Sequence, residues 1–216
     1  MLNLSPQSLI SAVITLLVSL TVHEFSHAWM ATRFGDDTPR LYGRLTLNPL
    51  MHLDPLGSLM LILAGFGWAK PVPVNLYALR RSSRTAPMLV SISGPISNFL
   101  LASIAALILR FNLVPNQASY ASFLPTPYNF LVFFLFTNLG LMVFNLLPIP
   151  PLDGNEIIHY LLPPAWSQSW ESIRPYGIYI LFALLFLGPL IGFDVIQIVL
   201  RPLIQSLAYL LLGVPL

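Results

Sequence analysis

Apolar residues run in long, nearly charge-free blocks along this chain of 216 residues, each closed by a cluster of polar, Gly or Pro positions. The first block covers 8–32, with Leu9–Val22 free of charge, and Gly35-Asp36-Asp37-Thr38-Pro39 stops it. At about 20 apolar residues such a block is long enough to cross a bilayer as a helix. A polar stretch, 33–54, follows and carries Arg33, Arg40 and Arg44. The next apolar block, 56–68, holds only thirteen residues, among them Gly57, Gly65 and Gly67. That falls short of a span and predicts a re-entrant or interfacial piece. Lys70-Pro71-Val72-Pro73-Val74-Asn75 then reads as extended chain, because its prolines do not fit a helix interior. Arg80, Arg81 and Arg84 precede a second span at 86–109. An almost uncharged loop, 111–127, leads to a third span, 128–147, which Pro148-Ile149-Pro150-Pro151 breaks. A short helical piece to Leu162 and two further spans, 173–188 and 191–212, complete the chain, the last two parted near Gly188-Pro189 and Gly192. The pattern predicts an all-α polytopic membrane protein: about five transmembrane helices plus a re-entrant segment, with one helix broken by proline. Residues 1–216 form a single integral-membrane domain, with its core in 8–162 and additional C-terminal spans in 173–212. No soluble insertion approaches the ~50 residues of a small domain.

Composition agrees with the pattern. The chain is 56% hydrophobic and 8% charged, with mean hydropathy +0.77, whereas soluble domains carry about 25% charged residues. A formal charge of +2 is too small to point to nucleic acid, and none is expected as a partner. There is no cysteine, so disulfides and thiolate metal sites are excluded; a metal here must be held by His, Asp or Glu. Residues 1–8 carry no basic n-region and the first apolar block has no cleavage signal, so the first helix is expected to stay. Seven of the ten basic residues lie between the first two spans. The positive-inside rule places 33–84 in the cytoplasm and the N-terminus outside, in a multi-pass protein of the cell membrane.

The chemistry lies near the end of the first span, at His23-Glu24-Phe25-Ser26-His27. On a helix, positions i and i+4 share a face, so His23 and His27 can both offer a nitrogen to one metal ion. Glu24 is close enough to act on a water without being a ligand itself. Two neutral imidazoles, an open position and a general base are what a zinc hydrolase needs. Helical His pairs also arise from packing or capping. At mid-membrane, however, a charged group costs roughly 2.5–3.5 kcal/mol, and a bound zinc offsets that where ordinary packing does not. About 22 Å along the helix from Ser8, His23 sits nearer the cytoplasmic face. A third ligand must come from elsewhere, and Glu156, Asp153, His52 and His159 have suitable chemistry. Asp153 is best placed, directly after a helix break, although it could instead cap the helix that resumes at Gly154. Asn98, in a span, needs a polar partner and could simply glue helices together.

These residues resemble the site-2 protease family of intramembrane zinc metalloproteases. The resemblance rests on HEFSH in the first span and on Asn145-Leu146-Leu147-Pro148-Ile149-Pro150-Pro151-Leu152-Asp153-Gly154, which matches the family's N-x-x-P-x-P-x-x-D-G pattern. Gly94-Pro95-Ile96-Ser97-Asn98 looks like its G-x-x-x-N motif. The tracts Gly43–Pro49 and Gly67–Asn75 look like those of its compact bacterial subgroup. Together they cover about residues 15–160. The resemblance implies one zinc ion held by His23, His27 and Asp153, with Glu24 as general base. It implies that Asn145, and with it Asn98, serves the substrate strand or the oxyanion. It also implies regulated intramembrane proteolysis, in which peptide bonds within or next to transmembrane segments of membrane proteins are cut in the lipid bilayer. There are two departures. Many relatives carry a PDZ or CBS domain, for which this chain has no room, and Asn155 stands where many have a second Gly.

Two other classes compete. A non-proteolytic metal-binding transporter or channel would also use broken helices and intramembrane charge, but the chain has no internal repeat and no second acidic cluster. An HExxH membrane protease of another family would take its third ligand from a helical E-x-x-x-D-like motif, which the three Glu do not supply. A silent scaffold would have no use for Glu24. His52 is expected to be an interfacial histidine, and His159 to have no function. A shared site also constrains topology. Zinc bonds are only ~2 Å long, so if 56–68 crossed the membrane, Asp153 would emerge on the wrong side. That segment is therefore expected to return to the side it entered from.

Overall fold

The computed structural model describes residues 5–57, 67–116 and 123–214. Helix α1, Pro6–Arg33, begins with Pro6 in its first turn and the Ser5 hydroxyl accepting from the Ser8 amide at 3.2 Å. It ends where Gly35 adopts φ +80° and the Asp36 amide reaches back to the Ala31 carbonyl at 3.0 Å. The stop expected at Gly35 is thus a C-terminal cap. Along α1, Ser11, Thr15, Ser19, His23, His27 and Ala31 are all buried, a ridge at steps of four residues. Both histidines of the expected ligand pair lie on this ridge.

A short helix α2, Thr38–Leu41, follows; after the extended stretch come α3, Leu76–Ser82, and the long α4, Ala86–Arg110. Helix α4 is central and packs on both α1 and α5, Pro127–Asn145. Its buried face is built of small residues, including Ser91, Gly94, Ser97, Ala102, Ala105 and Ala106. Where lipid is as apolar as leucine, small side chains let helix backbones approach and gain dispersion contacts. Leu109, Leu135, Leu139, Ala208 and Leu212 close the core at the far end.

Helix α5 stops at Asn145, just ahead of the prolines. The chain turns and resumes as α6, Gly154–Leu161, which packs against α4. Gly154 is needed at that turn: a β-carbon there would lie 2.6 Å from the Leu146 carbonyl carbon. This fold-back brings Asp153 to α1 and α4. Helices α7, Pro164–Ile173, and α8, Gly177–Phe182, then run on through a π turn to Leu187. The last helix, α9, is Arg201–Leu212.

Among the described residues, four helical stretches are long and apolar enough to cross a membrane: Pro6–Arg33, Ala86–Arg110, Pro127–Asn145 and Ala165–Leu187. The fourth starts at Ala165 rather than at the expected 173, because Pro164 opens its helix. The fifth span, expected at 191–212, is present as a shorter apolar helix, Ile196–Leu212. The protein is an all-α polytopic membrane protein, with no β-strand among the described residues. Most of the expected re-entrant segment, 58–66, lies outside the described residues. Its two flanks are described, and they touch: Leu53 and Ala69 form an antiparallel bridge, and the Lys70 amide donates to the His52 carbonyl at 2.8 Å.

Candidate metal centre

His23, His27 and Asp153 meet between α1, α4 and the start of α6, with ligand atoms within 4.8 Å of one another. The two Nε2 atoms are 3.0 Å apart. His23 Nε2 is 3.2 Å from Asp153 Oδ2, and His27 Nε2 is 3.3 Å from Asp153 Oδ1. The hydrogen bonds behind the rings fix their protonation pattern. His27 Nδ1 lies 2.8 Å from the Val90 carbonyl, which only accepts, so Nδ1 carries the proton. His23 Nδ1 lies 2.7 Å from Asn98 Oδ1, and Asn98 is oriented by donating Nδ2 to Asn138 Oδ1 at 2.9 Å. In the neutral rings both Nε2 atoms therefore present lone pairs to each other and to a carboxylate.

Three acceptors converging at van der Waals distance in a lipid-embedded bundle need a cation. Tetrahedral zinc bonds of about 2.0–2.2 Å put neighbouring ligands about 3.3 Å apart, close to the observed 3.0, 3.2 and 3.3 Å. Asp153 Oδ2 is buried without a hydrogen-bond donor, a further sign that it is a ligand. Asp153 does occupy the cap position of α6, yet its side chain makes no capping hydrogen bond. The donor set fits one zinc ion.

The centre depends on a missing side chain. A β-carbon on Gly94 would sit 2.6 Å from His23 Cε1 and closer still to His27 Nε2. Helix α4 therefore lies against the edges of both imidazoles, and Pro95, which supplies no amide hydrogen, follows at once.

Glu24 is buried on α1, and its Oε2 accepts from the Val72 amide at 3.0 Å. The extended stretch expected at 70–75 thus passes over the carboxylate. Arg44 is buried nearby and donates to the Lys70 carbonyl. Burial draws its guanidinium below the ordinary value, while Glu24 pulls it back up. A cavity of about 470 Å³ reaches Asp153 between Val74, Leu79 and Val90 on one side and Pro150 to Leu152 on the other. The Glu156–Arg174 pair, 2.7 Å, lines it as well.

The remaining sequence candidates separate. Asn98 is fully buried and committed to His23, Asn138 and the Ser19 carbonyl. Asn145 turns its Nδ2 back to the Leu141 carbonyl at 3.0 Å. His52, expected at the interface, is instead 1% exposed and bonds the Thr46 carbonyl at 2.8 Å. The bridge at Leu53 folds that loop inward, which local sequence does not reveal. His159 pairs with Glu171 at 3.6 Å and Glu156 with Arg174, both away from the triad. Sequence reasoning missed Asp36, Arg44, Gly94 and Asn138. Only Gly94 left a signal, as part of a Gly-Pro pair inside a span.

Comparison with known proteins gives the same picture. The model of "Peptidase family M50" matches residues 11–124 and 114–188. "Putative zinc metalloprotease YwhC" of Bacillus subtilis is 46% identical over 178 residues, covering 82% of this chain and 80% of that protein. "Putative zinc metalloprotease Rip2" of Mycolicibacterium smegmatis is 33% identical, over 78% of this chain and 64% of that protein. Its namesake in Mycobacterium tuberculosis is 35% identical, over 80% and 65%. No solved structure gives a significant match.

Proposed function

The chain belongs to peptidase family M50, and we propose that it cuts peptide bonds within or next to the transmembrane segments of membrane-protein substrates. It is a zinc metalloprotease of the membrane. The observation that carries the finer reading is the triangle of His23 Nε2, His27 Nε2 and Asp153, with edges of 3.0 to 3.3 Å, beside the buried Glu24 carboxylate.

His23, His27 and Asp153 hold the zinc. When bound, zinc supplies Lewis acidity, which makes water a nucleophile near neutral pH and polarises the scissile carbonyl. Glu24 takes the proton of the attacking water and returns it to the leaving amine. Asn98 orients His23, since both ends of its amide are engaged within the protein. Asn145 is the candidate for steadying the substrate strand or the developing oxyanion. Its present bond to Leu141 is a weak tie within its own helix.

A helical substrate hides its carbonyls in its own hydrogen bonds, so the cleaved stretch must be extended. The cavity between Val74 and Pro150–Leu152 is flanked by two stretches that cannot be helical, and Asp153 lines it. Both offer backbone to an extended chain. We place the site nearer the cytoplasmic face and the N-terminus outside, on the strength of the basic residues at 33–84.

The experiment is proteomics of membrane fragments from cells carrying either the wild type or Glu24→Gln. Fragments ending inside transmembrane segments are expected with the wild type alone. Equal fragment sets from both would refute the assignment.

A further inference from the structure

We propose that the stretch 69–75 is a strap that sets the Glu24 carboxylate through the Val72 amide, with Arg44 and Asp36 as positioning residues anchoring its two ends. This rests on the reading of Glu24 as general base.

The strap has few amides to give. Pro71 and Pro73 have none, so Val72 carries the only N–H in the three residues 71–73. That N–H goes to Glu24 Oε2 at 3.0 Å. On either side the strap is fixed by buried groups. At the start, the Lys70 amide donates to the His52 carbonyl at 2.8 Å, and the Lys70 carbonyl accepts from Arg44. At the end, the Asn75 amide donates to Asp36 Oδ2 at 2.7 Å. Asp36 Oδ1 is itself held by the Thr38 amide at 2.9 Å, just beyond the C-terminus of α1. Arg44 and Asp36 are 3% and 2% exposed, so both charges are buried, and these contacts answer them.

The arrangement has a use in the reaction. A glutamate has three rotatable side-chain bonds, and a free one would sample several rotamers. The Val72 amide engages one oxygen and leaves the other to accept the proton of water. Two prolines limit how far that amide can turn, and two buried charges fix the strap's height over α1. The base is therefore oriented before substrate arrives.

The test removes the amide alone. Val72 is replaced by its α-hydroxy acid in the full-length chain, which exchanges N–H for O and keeps the side chain. The protein is assayed in vesicles on a membrane-protein substrate, with bound zinc measured alongside. One zinc per chain, KM within about twofold of wild type and kcat lower by about tenfold or more are expected. Wild-type kcat, or a fall that only tracks lost zinc, would overturn the strap. A second pair guards against misfolding: Arg44→Met should lower kcat by about tenfold with zinc bound, and Arg44→Lys, which can still donate to Lys70, should recover most of it. Equal kcat in Met and Lys variants would also overturn it. Glu24→Gln runs in the same assay. If it is inert while the ester protein matches wild type, the strap alone fails; if it is active, the general-base reading falls and the strap with it.

Discussion

Gly94→Ala should separate the metal centre from the fold, because the centre loses far more than the helix does. Ordinary contact for a β-carbon begins near 3.4 Å, and here it would lie 2.6 Å from His23 Cε1 and nearer still to His27 Nε2. The rings must give way by roughly 0.8 Å or more, while a zinc site tolerates about 0.2 Å in its bonds. They cannot slide freely, since His27 is tied to the Val90 carbonyl and His23 to Asn98. Displaced partners behind ligands typically cost 10–100-fold in metal affinity; moving the ligand atoms themselves should cost at least the upper figure, about a hundredfold. The helix responds differently. Alanine is favoured over glycine in a helix interior by about 0.5–1 kcal/mol, against roughly 1–3 kcal/mol for overpacking. Stability without metal should thus change by no more than about 2 kcal/mol. Zinc affinity is read by competition with a chelator on detergent-solubilised protein, and stability by thermal melting of the zinc-free form. An alanine variant with wild-type zinc affinity and turnover would refute the geometry of the centre.

Other substitutions probe the remaining parts. Asp153→Ala should lose zinc and activity together; full metal occupancy with normal turnover would remove Asp153 from the ligand set. Glu24→Gln should keep close to one zinc per chain while cleavage falls below detection, because the amide cannot accept water's proton; turnover within tenfold of wild type would contradict the base assignment. Asn98→Ala should weaken zinc by about 10–100-fold by freeing His23 to turn, and unchanged affinity would reduce Asn98 to helix packing. Arg40→Cys and Arg80→Cys, both at exposed positions on either side of 56–68, should be labelled from the same side of the membrane, and the native chain offers no competing thiol. Labelling from opposite sides would break the shared site.

The spans were legible in the sequence because lipid imposes one requirement, apolar length, that short polar and Pro-Gly clusters punctuate. The ligands were legible because His23 and His27 are local: helix geometry alone brings them together. Asp153 needed more, since nothing in the 125 residues between it and His27 says that a fold-back at Gly154 will return it to α1. It was found through the proline break and the family pattern, not through spacing. The supporting residues were hidden for a different reason. Arg44, Asp36 and His52 sit in a stretch whose composition reads as a solvated loop, and only tertiary folding takes them out of water. A loop that buries two charges and a histidine must satisfy them internally; here Arg44 and Asp36 are answered by the stretch that lies across Glu24, and the His52 ring by the Thr46 carbonyl.

The topology follows from the same contacts. Sequence supplied a parity argument: if the segment between Asp54 and Trp68 crossed the bilayer, Asp153 would reach the wrong face. The structure supplies an independent one. The flanks of that segment are bridged at Leu53 and Ala69, and Arg44 holds the Lys70 carbonyl. A single crossing would separate such flanks by about 30 Å. Flanks in hydrogen-bonding contact are what the expected return to the side of entry requires. The same contacts fix Val72 over Glu24. A segment that traversed the membrane would therefore cost the protein both its third ligand and the orientation of its base.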